Sequence, residues 1–279
     1  LAAAAFVNNM FTLVIIFAIG FTYAITALVG ILYGQDKTHR IGEVMKSATA
    51  ANTCMAILLS VIMIVLYLNI HRLGQPEELL PLIRPYFLIQ LVSLPFVCWF
   101  NTFRQFTDGI TDTKVAMWIL VTGNVMNIFG NWILIYGHLG LPEMGLVGAG
   151  LSTMISRIVM AVVMVGIFFF SKKYREYKKG WSMGSVQYAD FKKITVLGIP
   201  LALQMGMETA AFSLSSLMVG WFGTESLAAH QVMLTISQLG YMIYYGLAAA
   251  VAVRISNFMG QRDYLAVRRT ATAGIHLVF

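Results

Sequence analysis

Charge is what this sequence has least of. Asp, Glu, Lys and Arg make up 11% of the 279 residues, while 58% are hydrophobic. A water-soluble domain carries roughly 25% charged residues, so a soluble globular protein is excluded, as is a disordered one. Cysteine is nearly absent. Cys54 and Cys98 both lie in apolar runs with no metal or redox spacing, which excludes a disulfide framework. Alternating polar and apolar strands are lacking, which excludes a closed β-barrel. Missing too are a His-Glu-x-x-His pair, a phosphate loop, a nucleophile elbow and paired carboxylates inside the apolar runs. An intramembrane enzyme therefore has no groups to work with, and the expectation is a non-enzyme. No signal peptide is visible at the N-terminus.

What is present is length and apolarity. Seven stretches suffice to span a bilayer, at 5–33, 44–70, 82–103, 115–137, 145–170, 194–219 and 226–258. An eighth starts near Tyr264, and both ends read as cut from something longer. The fold class is all-α integral membrane. The net charge of +7 would point to nucleic acid in a soluble protein, but its placement points elsewhere. Fifteen of the nineteen Lys and Arg fall in or beside the turns after spans one, three, five and seven. Arg72 and Arg84 are on the opposite side, and Arg157 and Arg254 lie in or near helices. The positive-inside rule then makes the basic turns cytoplasmic in an inner (plasma) membrane protein. No aromatic-interleaved basic patch suggests nucleic acid. The longest basic segment, 171–193, is expected to be a cytoplasmic connector on anionic headgroups, with membrane lipid as its partner.

Shifted by 226 residues, the beginning of the chain meets its end. Leu1, Ala2 and Ala3 fall on Leu227, Ala228 and Ala229, Gly20 on Gly246, and Gly34 and Gln35 on Gly260 and Gln261. Six helices separate the copies, so they share an orientation and form a parallel repeat, as in transporters with a site between two halves. By this reading 1–170 is an N-terminal lobe without its first helix and 194–279 the start of a C-terminal lobe, both from a twelve-helix parent.

Glu208 is the sharpest polar feature, the only carboxylate near the centre of a span. Holding a charge there costs about 2.5–3.5 kcal/mol on insertion scales, and such residues are functional by default. Gln204, Glu208 and Ser215 share a stripe with Pro200, which can let the helix bend as a gate. A carboxylate so placed can exchange a proton or a metal cation such as Na+ for a cationic substrate; the alternative is a packing hydrogen bond. Asn124, Asn127 and Asn131 share one face between Gly123 and Gly130. They either line a hydrated cavity or bond across a helix interface for about 0.6 kcal/mol each. Gln231, Thr235, Gln238 and Tyr245 form a further stripe. His230 is expected to bond a loop carbonyl, Arg254 to reach phosphates, and the methionines to be lipid-facing filler.

These residues carry a family resemblance. Leu197, Gly198, Ile199 and Pro200 followed by Glu208, then Gly223 to Gln231 and Arg254 to Gly260, resemble the seventh and eighth helices of multidrug and toxic compound extrusion (MATE) transporters. Leu1 to Ala3, Gly34 with Gln35, Arg104 with Asp108 and Gly109, Asn127 with Asn131, and Gly145 to Thr153 resemble that family's helices two to six. The resemblance implies export of lipophilic cationic small molecules in exchange for Na+ or H+, without another cofactor. It makes Glu208 the acidic residue of the C-lobe site, and Asn127, Asn131 and Thr153 positions of the N-lobe site. The rival readings are a lipid-linked oligosaccharide flippase of the same superfamily, which requires a basic cavity, and a non-transporting scaffold.

Overall fold

The computed structural model describes residues 2–73, 77–140 and 142–278. All regular structure among them is helical: α1 (Ala2–Gly34), α2 (Thr38–Leu68), α3 (Leu80–Gly109), α4 (Thr113–Tyr136), α5 (Gly145–Phe170), α6 (Arg175–Met183), α7 (Tyr188–Gly220), α8 (Thr224–Gln261) and α9 (Tyr264–Val278). Seven of these are long and apolar enough to cross a membrane. Most exceed the apolar stretches visible in the sequence. At 1.5 Å per residue the 33 residues of α1 reach about 50 Å, beyond a hydrocarbon core of about 30 Å. The helical backbone thus continues through the polar residues at the spans' ends, as in the Tyr188–Lys193 start of α7.

The 226-residue repeat is a structural one. Asp36 and Arg262 both end a helix with positive φ, 55° and 60°. The amide of Asp36 donates to Tyr33 O at 3.0 Å and that of Arg262 to Met259 O at 3.1 Å. Lys37 N donates to Leu32 O, and Asp263 N to Phe258 O, each at 3.1 Å. Every residue in the second turn is the repeat mate of one in the first. The two helices that precede these turns also cross. A Cβ at Gly34 would lie 2.0 Å from Asn257 O, and one at Gly260 would lie 2.1 Å from Ile31 O, while Gly30 sits on its own mate Ser256. Ile31 and Asn257 are mates, so each helix offers the other the same surface, as around a two-fold axis. Leu1 lies outside the described residues, as do the side chains of Ala2, Arg72, Leu227 and Ala228, on which parts of the sequence reading fall.

Helix α1 is the spine. An earlier stretch of α1 receives α7, where Gly20 meets Ala202, Gly198 meets Phe21 and Gly206 meets Phe17. Helices α3, α4 and α5 form a bundle on its far side, packed through Gly123 against Met160 and Gly148 against Leu134. Small residues permit these approaches, as expected where lipid supplies no hydrophobic drive between helices.

The segment 171–193 departs from expectation. Its aromatic residues do not lie on headgroups: Tyr174 and Tyr177 are buried and Trp181 half-buried, in one cluster with Phe103, Phe106 and Phe168. Helix α6 repeats a buried position every three to four residues, so one face docks on α2, where Gly42 and Gly180 let the backbones touch. Lys172, Lys173, Arg175, Lys178 and Lys179 stay exposed on the other face. Arg40 ties the junction, donating to both carboxylate oxygens of the buried Asp190 at 2.8 and 2.7 Å and to Glu43 at 2.5 Å.

Lys173 and Tyr174 both reach Asp112 Oδ2, at 2.6 and 2.5 Å. Burial pushes the Asp112 carboxyl up, but these two donors and the charge of Lys114 outweigh it and hold the group below the usual carboxylate range. A depressed value means that the contribution to docking is present above the ordinary Asp range and is lost as pH falls through the lowered value. Because Lys173 is well exposed, the pair is worth about 1 kcal/mol at most. Asp112→Asn should therefore raise tryptic cleavage at Lys172 and Lys173 several-fold at pH 7. Hydrogen exchange of α6 in wild type should approach that of the variant only in acid.

Candidate functional site

Two polar clusters within the spans hold residues that the sequence singles out. The first centres on Glu208, midway along α7 and exposed on this chain. Tyr241 Oη, from α8, donates to Glu208 Oε1 at 3.0 Å. The Tyr241 ring stacks on Tyr245 with centroids 5.8 Å apart, and the Tyr245 hydroxyl bonds that of Tyr23 on α1. A continuous polar line thus joins α7, α8 and α1. Tyr241 was not singled out in the sequence, although it stands four residues before Tyr245 and three after Gln238 on the same stripe.

The remaining residues of this region are not gathered around Glu208. Gln204, Gln231 and Gln238 are exposed, with no side-chain hydrogen bond to Glu208 among the described residues. Ser215 and Thr235 bond carbonyls of their own helices, at Ala211 and Gln231. Pro200 is exposed, away from the α1 contact, and α7 runs through it. Among the described residues His230 bonds no loop carbonyl, and its Nε2 is buried without a partner. Arg254 lies 5.7 Å from the centre of the Phe258 ring. Among the described residues no three His, Cys, Asp or Glu side chains come together, so Glu208 offers a single carboxylate.

The second cluster sits between α4 and α5. Asn131 Nδ2 donates to Asn127 Oδ1 at 3.2 Å, and Asn127 Nδ2 donates to Ser152 Oγ and Thr153 Oγ1 at 3.4 and 3.3 Å. Ser152 Oγ returns a bond to Asn127 O at 2.9 Å. Asn127, Asn131 and Thr153 are therefore brought together, with Ser152 as a fourth member that the sequence did not suggest. Most of this cluster is interhelical hydrogen bonding, but Asn131 Oδ1 is buried with no described donor. A buried acceptor of that kind calls for a donor or a cation. One turn further along α5 stands Arg157, bonded to Gln90 and Ser93 of α3. It bears on the flippase reading, which requires a basic cavity. A lone guanidinium still falls short of what a pyrophosphate needs.

A family model, MatE, matches residues 1–133 and 200–279. The chain belongs to the MatE family. Among curated relatives of this MatE chain, a probable multidrug resistance protein NorM from Photorhabdus laumondii is 33% identical over 248 residues, covering 88% of this chain and 54% of its own length. The multidrug resistance protein NorM of Vibrio cholerae is 27% identical over 99% of this chain and 60% of its own. The chain thus spans little more than half the length of these relatives. Among solved structures, a MATE protein in the straight conformation matches all of the chain with a TM-score of 0.84 at 22% identity, covering 61% of its own chain. An outward-facing multidrug resistance MATE family transporter matches 99% of this chain and 61% of its own, with a TM-score of 0.80 at 21% identity. These likenesses establish the fold. The MatE chain is a multi-pass membrane protein.

Proposed function

We propose that this chain is part of a secondary transporter that exports lipophilic organic cations in exchange for Na+ or H+. The observation that carries the proposal is Glu208, a lone carboxylate at mid-span whose one described side-chain bond is from the neutral phenol of Tyr241. No basic side chain among the described residues pairs with it, so it is available to a proton, a metal cation or a cationic substrate, one at a time. Loading one species releases the other, and that competition is the coupling. The relatives named as multidrug resistance proteins support the choice of organic substrates.

The rest of the structure supports the cycle. Residues 1–170 and 194–279 belong to two lobes that meet where α1 packs on α7 and crosses α8 about the repeat axis, and rocking there exposes the site to either side in turn. The Asn127, Asn131 and Thr153 oxygens are a second place for the coupling cation. The turns rich in Lys and Arg, with segment 171–193, face the cytoplasm of the plasma membrane. The test uses the full-length protein in everted vesicles with a fluorescent lipophilic cation. A Na+ or a proton gradient, imposed in turn, should drive uptake, and the one that works names the coupling ion. No uptake with either gradient would overturn the proposal.

A further inference from the structure

Arg157 stands near the middle of α5, about 18 Å of helix from either end. Its Nη1 donates to Gln90 Oε1 at 2.7 Å and to Ser93 Oγ at 2.8 Å. Both acceptors are buried and neutral, and their own protons are committed elsewhere. Ser93 Oγ donates to Gln90 O at 2.7 Å. Gln90 Nε2 donates to Tyr86 Oη at 3.2 Å, and Tyr86 Oη donates to Asn8 Oδ1 at 2.9 Å. This relay turns the Gln90 oxygen toward the guanidinium and fixes the direction in which Arg157 points. No carboxylate among the described residues pairs with it. Nε and Nη2 have no partner among the described residues.

The result is a guanidinium at membrane depth, anchored by one nitrogen, with its Nε–Nη2 edge unpaired among the described residues. That edge matches the two oxygens of a carboxylate, and a full positive charge in a span demands a counter-charge. One cation with only neutral neighbours suits a single negative charge rather than a phosphate chain. We propose that Arg157 is a carboxylate-accepting position. The carboxylate belongs either to a substrate that carries one beside its cationic group or to a side chain elsewhere in the full-length protein. The first source rests on the transport reading above; the second does not.

The experiment uses the full-length protein, purified in detergent, and two probes differing in one group, tetramethylrhodamine with its free carboxylate and the methyl ester of the same dye. Fluorescence polarisation gives equilibrium affinities. If the carboxylate is the substrate's, Arg157→Gln weakens the acid at least tenfold and leaves the ester within twofold, and Arg157→Lys restores part of the preference. Ser93→Ala, which removes one anchor and leaves the charge, weakens the acid several-fold in the same sense should Arg157→Gln fail to fold. If the carboxylate is the protein's, Arg157→Gln impairs both dyes, and second-site changes of an Asp or Glu to its amide recover them. Equal loss of both dyes without such suppressors, or no change in either, overturns the proposal. Acid-selective binding in a protein that transports neither dye upholds Arg157 and refutes the transport reading.

Discussion

Glu208→Gln is expected to reduce gradient-driven uptake of a lipophilic cation at least a hundredfold at matched expression. Glutamine has the same shape, and its Oε1 still accepts the Tyr241 hydrogen bond seen at 3.0 Å. The substitution therefore removes the charge and little else. A hundredfold corresponds to about 2.7 kcal/mol, comparable with what an ionised carboxylate costs at membrane depth. The variant should accordingly be at least as stable as wild type in either role, and transport separates the two. A packing residue keeps its hydrogen bond as glutamine and keeps transport; a coupling residue loses transport. Uptake equal to wild type would reduce Glu208 to a helix-packing group.

Gly34→Leu and Gly260→Leu are expected to be among the most damaging substitutions outside the polar clusters. The atoms in the way, Asn257 O at 2.0 Å and Ile31 O at 2.1 Å, are backbone carbonyls of helical turns and cannot rotate aside as a side chain can. Overpacking typically costs about 1–3 kcal/mol, and more where nothing yields, so both variants should fall at or above the top of that range. The measurement is the midpoint of thermal unfolding in detergent together with the yield of monodisperse protein. Because the two glycines make the same contact from opposite sides, their losses should be similar. Gly166→Ala is the control, since nothing lies within 4 Å of its added Cβ, and a helix interior favours Ala by roughly 1 kcal/mol.

Much of this architecture is legible in the chain because the membrane limits what it can be. A run of about twenty apolar residues has few alternatives to a helix, and the placement of Lys and Arg orders the turns. The repeat is legible because its crossing needs glycine, so Gly34 and Gly260 stand out of an otherwise permissive alphabet. Three things are not legible. The ends of the helices are hidden because hydropathy stops where the backbone does not. The docking of α6 is hidden because Tyr174, Tyr177 and Trp181 suit a headgroup region and a protein core equally well, and only the Gly42–Gly180 contact decides between them. The bond between Tyr23 and Tyr245 is hidden because it joins residues 222 apart. Arg157 is a different case: it stands in plain view inside a span and reads as topology until its neutral partners are known.

The central claim is that substrate and coupling ion share Glu208. Its most direct test is equilibrium binding of a fluorescent lipophilic cation to the purified full-length protein across a titration of Na+ and of pH, in wild type and in Glu208→Gln. In wild type the coupling ion should raise the apparent Kd of the dye linearly with its own concentration, without saturating, and this dependence should disappear in the variant. Dye binding that ignores both ions in wild type, or competition that persists undiminished in Glu208→Gln, would contradict it.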